Sequence, residues 1–467
     1  MIQFNINLNL SDAKAFADLS GDFNPMHLEE QYSRRLIYGE PVAHGINVIL
    51  KILENRFHDL DEKISINHLI IKFLEPVYYN KIYTCFVFKV GEKENIILKY
   101  NQKKIIDISI SYAFNSKFKY INLTNNIFQK IIPNSSSIDN AYNYCDSIDY
   151  KVDTTLFKLI YPIIYNCISF KFINFLISTS YIVGMRMPGL NSIYSQIELN
   201  LINDDNSKIN KISINLHKIY KSVNLIKLDI SDSSYLARIN CFFRPPPINQ
   251  PKIKDLTNLV SKDEFKSQNA LIIGGSRGLG ELTAKILALG SGKVTITYSS
   301  GIIEATRIKD EIYDFNKSNL SIKKLNVHDE IYDSFLDNFT HIYYFATPKI
   351  KQSDSKIFDQ KLYLNYYNYY IFSFNRILES FSKKHKCKIF YPSTIFIEQE
   401  DSFFREYVKA KIDGEKLIEN FDKKNIKIFK PRLPKLETDQ TASLIYEKKS
   451  DTISIMHEAI KQFSHYE

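Results

Sequence analysis

A run of prolines, Arg244-Pro245-Pro246-Pro247 followed by Gln250-Pro251, interrupts this chain just past its midpoint. Proline lacks the N–H that helices and sheets use and fixes φ, so no regular element continues through such a run. At 467 residues the chain is also longer than one hydrophobic core usually organises. Two or three domains are expected, with one boundary at this point.

Upstream of the break, hydrophobic periodicity gives one outline twice. A short helix over Ser11–Leu19 and an apolar helix from Gly45 to about Phe57 precede strand-like runs at Ile66–Phe73, Ile82–Val90, Asn95–Tyr100 and Lys104–Phe114. A polar connector rich in Asn and Ser, Asn122–Asp149, follows. A second apolar helix then leads into runs at Ile193–Ile202, Ile209–Tyr220, Ser222–Ser231 and Tyr235–Arg244. The two blocks share almost no sequence, so the repeat rests on element order alone. Beyond a charged stretch read as a linker, Lys252–Lys266, strands and helices alternate as in a doubly wound parallel sheet.

Composition narrows the partners. The net charge of +9 is scattered, with no basic tail, which argues against nucleic acid; a mild surplus suits a ligand carrying phosphates or an acidic carrier protein. The five cysteines lie far apart with no CxxC, so neither a disulfide framework nor a metal site is expected. The stretch Leu156–Val183 is apolar, but Pro162, Asn166, Lys171 and Asn174 interrupt it, and a buried helical segment is expected rather than a membrane span. With no signal-peptide pattern at Met1-Ile2-Gln3-Phe4-Asn5, the expected location is cytoplasmic.

Two segments carry chemistry. In Leu19-Ser20-Gly21-Asp22-Phe23-Asn24-Pro25-Met26-His27, Pro25 keeps Asn24 out of helical angles, so a carboxylate and an imidazole five positions apart share a fixed loop. Such a pair can hold a water and add it beside a carbonyl, or run the elimination. Val42-Ala43-His44-Gly45 then opens a helix whose first amide can hold a thioester oxygen as it gains charge. These motifs, with Ile71-Lys72-Phe73-Leu74-Glu75-Pro76-Val77 as the following strand, resemble the MaoC-like (R)-specific enoyl-CoA hydratases, whose fold is a hot dog, an antiparallel sheet curled around one helix. The resemblance implies that Asp22 and His27 are the catalytic pair, that Asn24 supports them and that Gly45 supplies the oxyanion contact. Val183-Gly184-Met185-Arg186-Met187-Pro188-Gly189-Leu190-Asn191-Ser192 and Phe243-Arg244-Pro245 resemble the companion half of a double hot dog. That half lacks the Asp/Asn/His loop, which implies one active centre beside a degenerate half.

The second segment begins with the strand pattern Ala270-Leu271-Ile272-Ile273, which runs into Gly274-Gly275-Ser276-Arg277-Gly278-Leu279-Gly280 and a helix from Glu281. A glycine loop between strand and helix cradles a pyrophosphate. The next strand ends in Tyr298-Ser299-Ser300, with no acid for a ribose 2′-hydroxyl, while Arg277 can pair with a 2′-phosphate; the cofactor inferred is NADP(H). Tyr407 and Lys411 stand one helical turn apart, where an ammonium lowers a phenol's pKa for proton exchange with substrate oxygen. This part resembles the short-chain dehydrogenase/reductases. The resemblance places Gly274, Ser276, Arg277, Gly278, Leu279, Gly280, Tyr298, Ser299, Asn326, Val327 and Ala346 at the cofactor, with Asn365 in the proton relay. Tyr407 and Lys411 are then both the acid/base pair and cofactor contacts, and either Ser393 or Thr394 is the relay hydroxyl. Phe345-Ala346-Thr347 stands where the family has Asn-Ala-Gly.

The expected architecture is an α+β double hot dog followed by an α/β Rossmann-like doubly wound parallel sheet: a hydratase hot dog over 1–121, a degenerate one over 150–250 and a reductase domain over 268–467. The expected function is bifunctional. An NADPH-dependent 3-oxoacyl-thioester reductase would be joined to an (R)-specific enoyl-thioester hydratase, acting on CoA or acyl-carrier-protein thioesters as in fatty acid metabolism. The alternative is a single-activity reductase with the hot dog as a binding or dimerisation module. Both families imply a homodimer.

Overall fold

The computed structural model describes residues 2–91, 93–114, 128–203, 211–317, 320–329, 339–353, 357–382, 386–399, 402–421, 425–444 and 450–466. Residues 122–127 of the polar connector and the first two of the run expected at 209–220 lie outside these. The chain forms two compact units, Met1–Pro246 with Ser443–Glu447, and Pro247–Ala442 with Lys448–Glu467.

The first unit holds one ten-stranded antiparallel sheet. Its strands are β1 (Ile2–Ile6), β2 (Ile64–Phe73), β3 (Tyr83–Val90), β4 (Lys93–Tyr100), β5 (Lys103–Phe114), β6 (Cys145–Ile148), β7 (Ser192–Leu201), β8 (Ile212–Tyr220), β9 (Leu225–Ser231) and β10 (Tyr235–Phe243). Their order is β1-β3-β4-β5-β2-β7-β10-β9-β8-β6, so the first block supplies five strands, the second supplies four with β6 added from the connector, and the halves meet at β2 and β7. Ile71 stands opposite Ile197 in that pair. Side chains alternate across the sheet with period two: Ile226, Leu228 and Ile230 of β9, like Ala237, Ile239 and Cys241 of β10, are buried. The edge strands β1 and β6 are short, and the sequence pattern did not announce them.

Among the described residues, seven helices belong to this unit: α1 (Leu10–Ser20), α2 (Pro25–Leu28), α3 (Glu30–Ser33), α4 (Gly45–Arg56), α5 (Thr154–Ile160), α6 (Pro162–Cys167) and α7 (Phe170–Tyr181). The apolar stretch expected as one helical segment is thus broken, with Pro162 opening α6 and a π-helical turn, Ile182–Arg186, closing α7. No described helix is long and apolar enough to cross a membrane. Side chains of α4, α7 and both strand sets share one continuous hydrophobic core.

The second unit carries six parallel strands, β11 (Asn269–Ile273), β12 (Lys293–Tyr298), β13 (Ser321–Lys324), β14 (His341–Tyr344), β15 (Cys387–Phe390) and, past the short β16 (Ser393–Thr394), β17 (Ile426–Phe429); β16 pairs with β18 (Arg432–Leu433). The sheet order β13-β12-β11-β14-β15-β17 is that of a Rossmann-like doubly wound fold, with the strand order reversing between β11 and β14. Helices α8 (Gly278–Leu289), α9 (Ile302–Asn316), α10 (Gln360–Tyr367), α11 (Phe374–Ser382), α12 (Arg405–Glu419) and α13 (Thr452–His465) complete it. The stretch Lys252–Lys266 is not a free linker. Ile253, Leu256 and Phe265 are buried in this unit's core, Lys285 Nζ donates to the Pro251 carbonyl (2.8 Å), and the Ile253 amide donates to Glu311 (2.7 Å). Its charged residues masked three well-spaced apolar anchors.

Candidate active sites

In the first unit, α1 starts in a capping box between Asn9 and Asp12 and stops at Gly21, whose φ of +71° is the left-handed conformation that ends helices. The chain therefore turns sharply just before Asp22. Asn24 caps the next helix, accepting from the Met26 amide (3.1 Å), with Pro25 at its first position. The Asn24 amide nitrogen meanwhile donates to the Gly184 and Gly189 carbonyls at 3.1 and 3.2 Å, which pins the loop to the second half of the sheet.

His27 Nδ1 donates to the Val42 carbonyl (2.7 Å), because a carbonyl only accepts, and this leaves Nε2 with its lone pair. His44 stacks on the His27 ring with centroids 3.9 Å apart and donates Nε2–H to the Asp22 carbonyl at 3.0 Å. One ligand-capable atom from each of Asp22, His27 and His44 lies within 4.8 Å of the others. The Asp22 carboxyl accepts from Ser180 Oγ at 2.7 Å. Among the described residues no cation compensates it, and burial raises its pKa to about 7 against the weaker pull of the Ser180 and Asn24 bonds. Burial lowers His27 to about 4 and holds His44 well below the usual imidazole range. Gly45 opens α4, and His44 provides no side-chain cap there. A Cβ on Gly45 would stand 2.8 Å from the Phe73 ring.

Asp22, Asn24, His27 and Gly45 are thus brought to one place. Sequence reasoning missed Ser180 and Gly184. A Cβ at Gly184 would fall 2.3 Å from Asp22 Oδ1, so the companion half, expected to be degenerate, forms one wall of this site. The one signal for Ser180 was a polar triplet, Ser178-Thr179-Ser180, at the end of a mostly apolar helix.

In the second unit the loop after β11 has Gly274 and Gly278 at φ +79° and +58°. A Cβ on Gly280 would come 2.3 Å from the Gly274 carbonyl oxygen. Helix α8 begins at Gly278, a turn earlier than expected, with Leu279 in its first turn and no side-chain cap. Ser276 is buried in the loop, and Ala346, just past β14, has its amide 3.0 Å from a Cβ built on Gly274. Open amides at a helix start, packed where only glycine fits, suit the pyrophosphate of a dinucleotide. Strand β12 ends at Tyr298, with Ser299 exposed beyond it.

Two expected cofactor contacts and the expected relay asparagine differ in detail. Arg277 Nη1 lies 3.7 Å from Asp439 Oδ2, so an acid already faces the guanidinium assigned to a phosphate. Asn326 closes its own turn, donating to Asp329 (3.1 Å) and accepting from the His328 amide (3.3 Å), while the neighbouring Val327 is buried. Asn365 is exposed on α10 and does not reach the relay. Below it the helix turns π-helical over Asn368–Ser373, and Tyr370 takes the place beneath the ammonium, its ring centroid 3.9 Å from Lys411 Nζ.

The phenol and the ammonium are also set differently from expectation. Tyr407 hydrogen-bonds Thr394, which singles out Thr394 as its hydroxyl neighbour. Ser393 Oγ instead donates to Glu415 Oε1 (2.5 Å), a carboxylate also held by Arg432. Lys411 Nζ donates to the Pro392 carbonyl at 2.7 Å and lies 5.9 Å from the Tyr407 ring centroid. Burial brings Lys411 down to about 7, with Glu415 pulling weakly the other way, and pushes Tyr407 well above the usual phenol range. The expected lowering of the phenol is therefore not present, because desolvation outweighs an ammonium that itself leans neutral.

Residues 3–106 match the family model described as MaoC like domain. The chain therefore carries a MaoC-like dehydratase domain at its N-terminus, joined to a unit with a Rossmann-like fold. No curated protein matches the sequence. Among solved structures, a MaoC-like dehydratase is 9% identical over 52% of this chain and 97% of its own, with a TM-score of 0.36. An alcohol dehydrogenase from the archaeon Thermococcus sibiricus, complexed with 5-hydroxy-NADP, is 16% identical over 42% of this chain and 90% of its own, with a TM-score of 0.37. FolM alternative dihydrofolate reductase 1 from Brucella canis, complexed with NADP, is 14% identical over 32% of this chain with a TM-score of 0.29; the present chain covers 65% of that reductase.

Proposed function

We propose that the protein is a bifunctional acyl-thioester enzyme, an (R)-specific enoyl-thioester hydratase joined to an NADP(H)-dependent 3-oxoacyl-thioester reductase, acting on CoA or carrier-protein substrates. One observation carries the reading: each unit draws its own proton-handling pair out of water, with Asp22 and His27 buried in one and a buried Lys411 beside a half-buried Tyr407 in the other.

At the first pair, burial disfavours net charge, so Asp22 keeps a proton that His27 does not bind near neutral pH. His27 Nε2 takes a proton from water as its oxygen bonds to the β-carbon, and Asp22 gives a proton to the α-carbon; H and OH are added across the double bond. The Gly45 amide holds the thioester oxygen as it gains negative charge. Dehydration is the same path in reverse.

At the second pair, the glycine loop, Ser276, Arg277 and the start of α8 would hold NADP(H), whose reduced nicotinamide supplies a hydride when bound. Tyr407 donates its proton to the substrate oxygen, and Thr394 holds that phenol. Lys411, held at Pro392, places a positive charge nearby in its protonated form.

The test is incubation with NADPH and acetoacetyl-CoA, with products identified by mass. Wild type should give 3-hydroxybutyryl-CoA and then crotonyl-CoA. Asp22→Asn should stop at the hydroxy product, and Tyr407→Phe should leave acetoacetyl-CoA unchanged while still hydrating crotonyl-CoA. A second reading, a hydratase joined to a catalytically silent cofactor-binding unit, is favoured by the exposed Asn365 and the raised Tyr407. It is the outcome if NADPH binds and no hydroxy product forms.

A further inference from the structure

Arg244 closes β10 and is 2% exposed. Its Nη2 donates to the Leu190 carbonyl (2.6 Å) and to the Tyr32 hydroxyl (3.1 Å), and the guanidinium lies 5.5 Å from the Tyr32 ring centroid. Its Nε and Nη1 are buried and have no partner, and among the described residues no carboxylate pairs with it. A buried cation left without an anion is costly to a fold, by several kcal/mol on general grounds of order. Proteins that need only packing at such a place use an apolar side chain.

The position of Arg244 says what the missing anion belongs to. The Leu190 carbonyl that it grips also accepts from the Asn24 side chain at 3.4 Å, so the guanidinium is one shared acceptor away from the Asp22–His27 loop. Its charge is felt at His27, the ring proposed as the base. The phosphates of a pantetheine thioester lie a whole pantetheine arm from the reacting carbons, too far to serve a cation at the base. An anion here belongs to the acyl group.

We propose that Arg244 is the carboxylate subsite of the hydratase centre, and that its substrates are short 2-enoyl thioesters whose acyl chain ends in a carboxylate. The inference rests on the hydratase reading of Asp22 and His27 and names the substrate class that centre selects. With Nη2 already taken by the Leu190 carbonyl and the Tyr32 hydroxyl, Nε and Nη1 on opposite sides of the guanidinium are each open to give a charge-assisted bond to a carboxylate oxygen.

The test compares two five-carbon substrates, trans-glutaconyl-CoA and trans-2-pentenoyl-CoA, and their saturated counterparts, glutaryl-CoA and pentanoyl-CoA, in binding by calorimetry. Wild type should prefer glutaconyl-CoA by roughly 100-fold in kcat/KM, since a site built around a polar group discriminates strongly against analogues lacking it. Arg244→Met should abolish that preference without lowering Tm, and Arg244→Lys should keep part of it. Equal or better turnover of pentenoyl-CoA by wild type overturns the proposal. So does an Arg244→Met variant that loses both substrates alike together with a fall in Tm, which marks a structural arginine. If neither thioester is hydrated but glutaryl-CoA binds in an Arg244-dependent way, the hydratase reading fails and the subsite stands.

Discussion

The two buried proton centres are built by opposite routes. At the first, an acid without a cation is raised to about 7 and an imidazole is lowered to about 4. At the second, a lysine without a close carboxylate falls to about 7 while the phenol beside it rises. Desolvation drives both, yet the scaffolds differ. The first is assembled across a sheet, from a loop near the N-terminus and a helix about 160 residues later, since Asn24 reaches the Gly184 carbonyl over that separation. The second stands on one helical turn and an adjacent strand end. A centre assembled from distant segments is more exposed to change in a segment that carries no catalytic group.

That difference is most easily broken at Gly184. The carboxyl oxygen of Asp22 lies where a methyl would go, 2.3 Å from the built Cβ, so Gly184→Ala must displace the acid. Misplacement of a reacting group by about 1 Å costs on the order of 100-fold in rate. Crotonyl-CoA hydration should fall by about that factor, with NADPH-dependent reduction unchanged. Retention of full hydratase activity would show that the companion half is only packing.

A smaller effect separates the two hydroxyls of the second centre. Thr394→Val removes the bond to Tyr407 and should lower reductase kcat roughly tenfold to 100-fold, the weight of a hydrogen bond to a charged or reacting group. Ser393→Ala should leave kcat near wild type and lower Tm instead, because that hydroxyl serves the buried Glu415. The reverse pattern would move the relay to Ser393.

These sites were legible in the sequence to different depths. Asp22, Asn24 and His27 could be read because one short loop sets all three, with Pro25 and Gly21 fixing the backbone between them. The glycine loop was legible for the same reason: strand, loop and helix are contiguous. Ser180 and Gly184 were not, since what makes them matter is contact with Asp22 and Asn24 about 160 residues away, which the local polar triplet at Ser180 does not reveal. Asn365 failed for a different reason. The family resemblance alone placed it in the relay, and nothing local showed that α10 would present it to solvent while Tyr370, in the π-helical stretch that follows, lies beneath Lys411. The ten-stranded sheet was read as two blocks because element order repeats. Their fusion through β2 and β7 into one core is a long-range pairing that periodicity does not encode.

The remaining effect, on stability rather than rate, is also the cleanest measure of how the first centre is held. A carboxyl whose pKa is raised by folding contributes stability that is fully present below its unfolded value, near 3.8, and is lost as pH rises through about 7. Asp22 therefore favours the unfolded state above neutrality, by roughly 4 kcal/mol at most, from about three pKa units at 1.36 kcal/mol each. Asn keeps the shape and does not ionise. The Tm of Asp22→Asn should match wild type near pH 4 and exceed it by a margin that grows between about pH 5 and about pH 8. His27, lowered to about 4, has the opposite dependence, losing stability as pH falls from about 6.5, but it is common to both proteins and cancels in the difference. A Tm difference that does not change with pH would mean that Asp22 is ionised throughout in the folded protein. The pair would then carry a negative charge at neutral pH, and the proton given to the α-carbon would have to come from water rather than from the carboxyl.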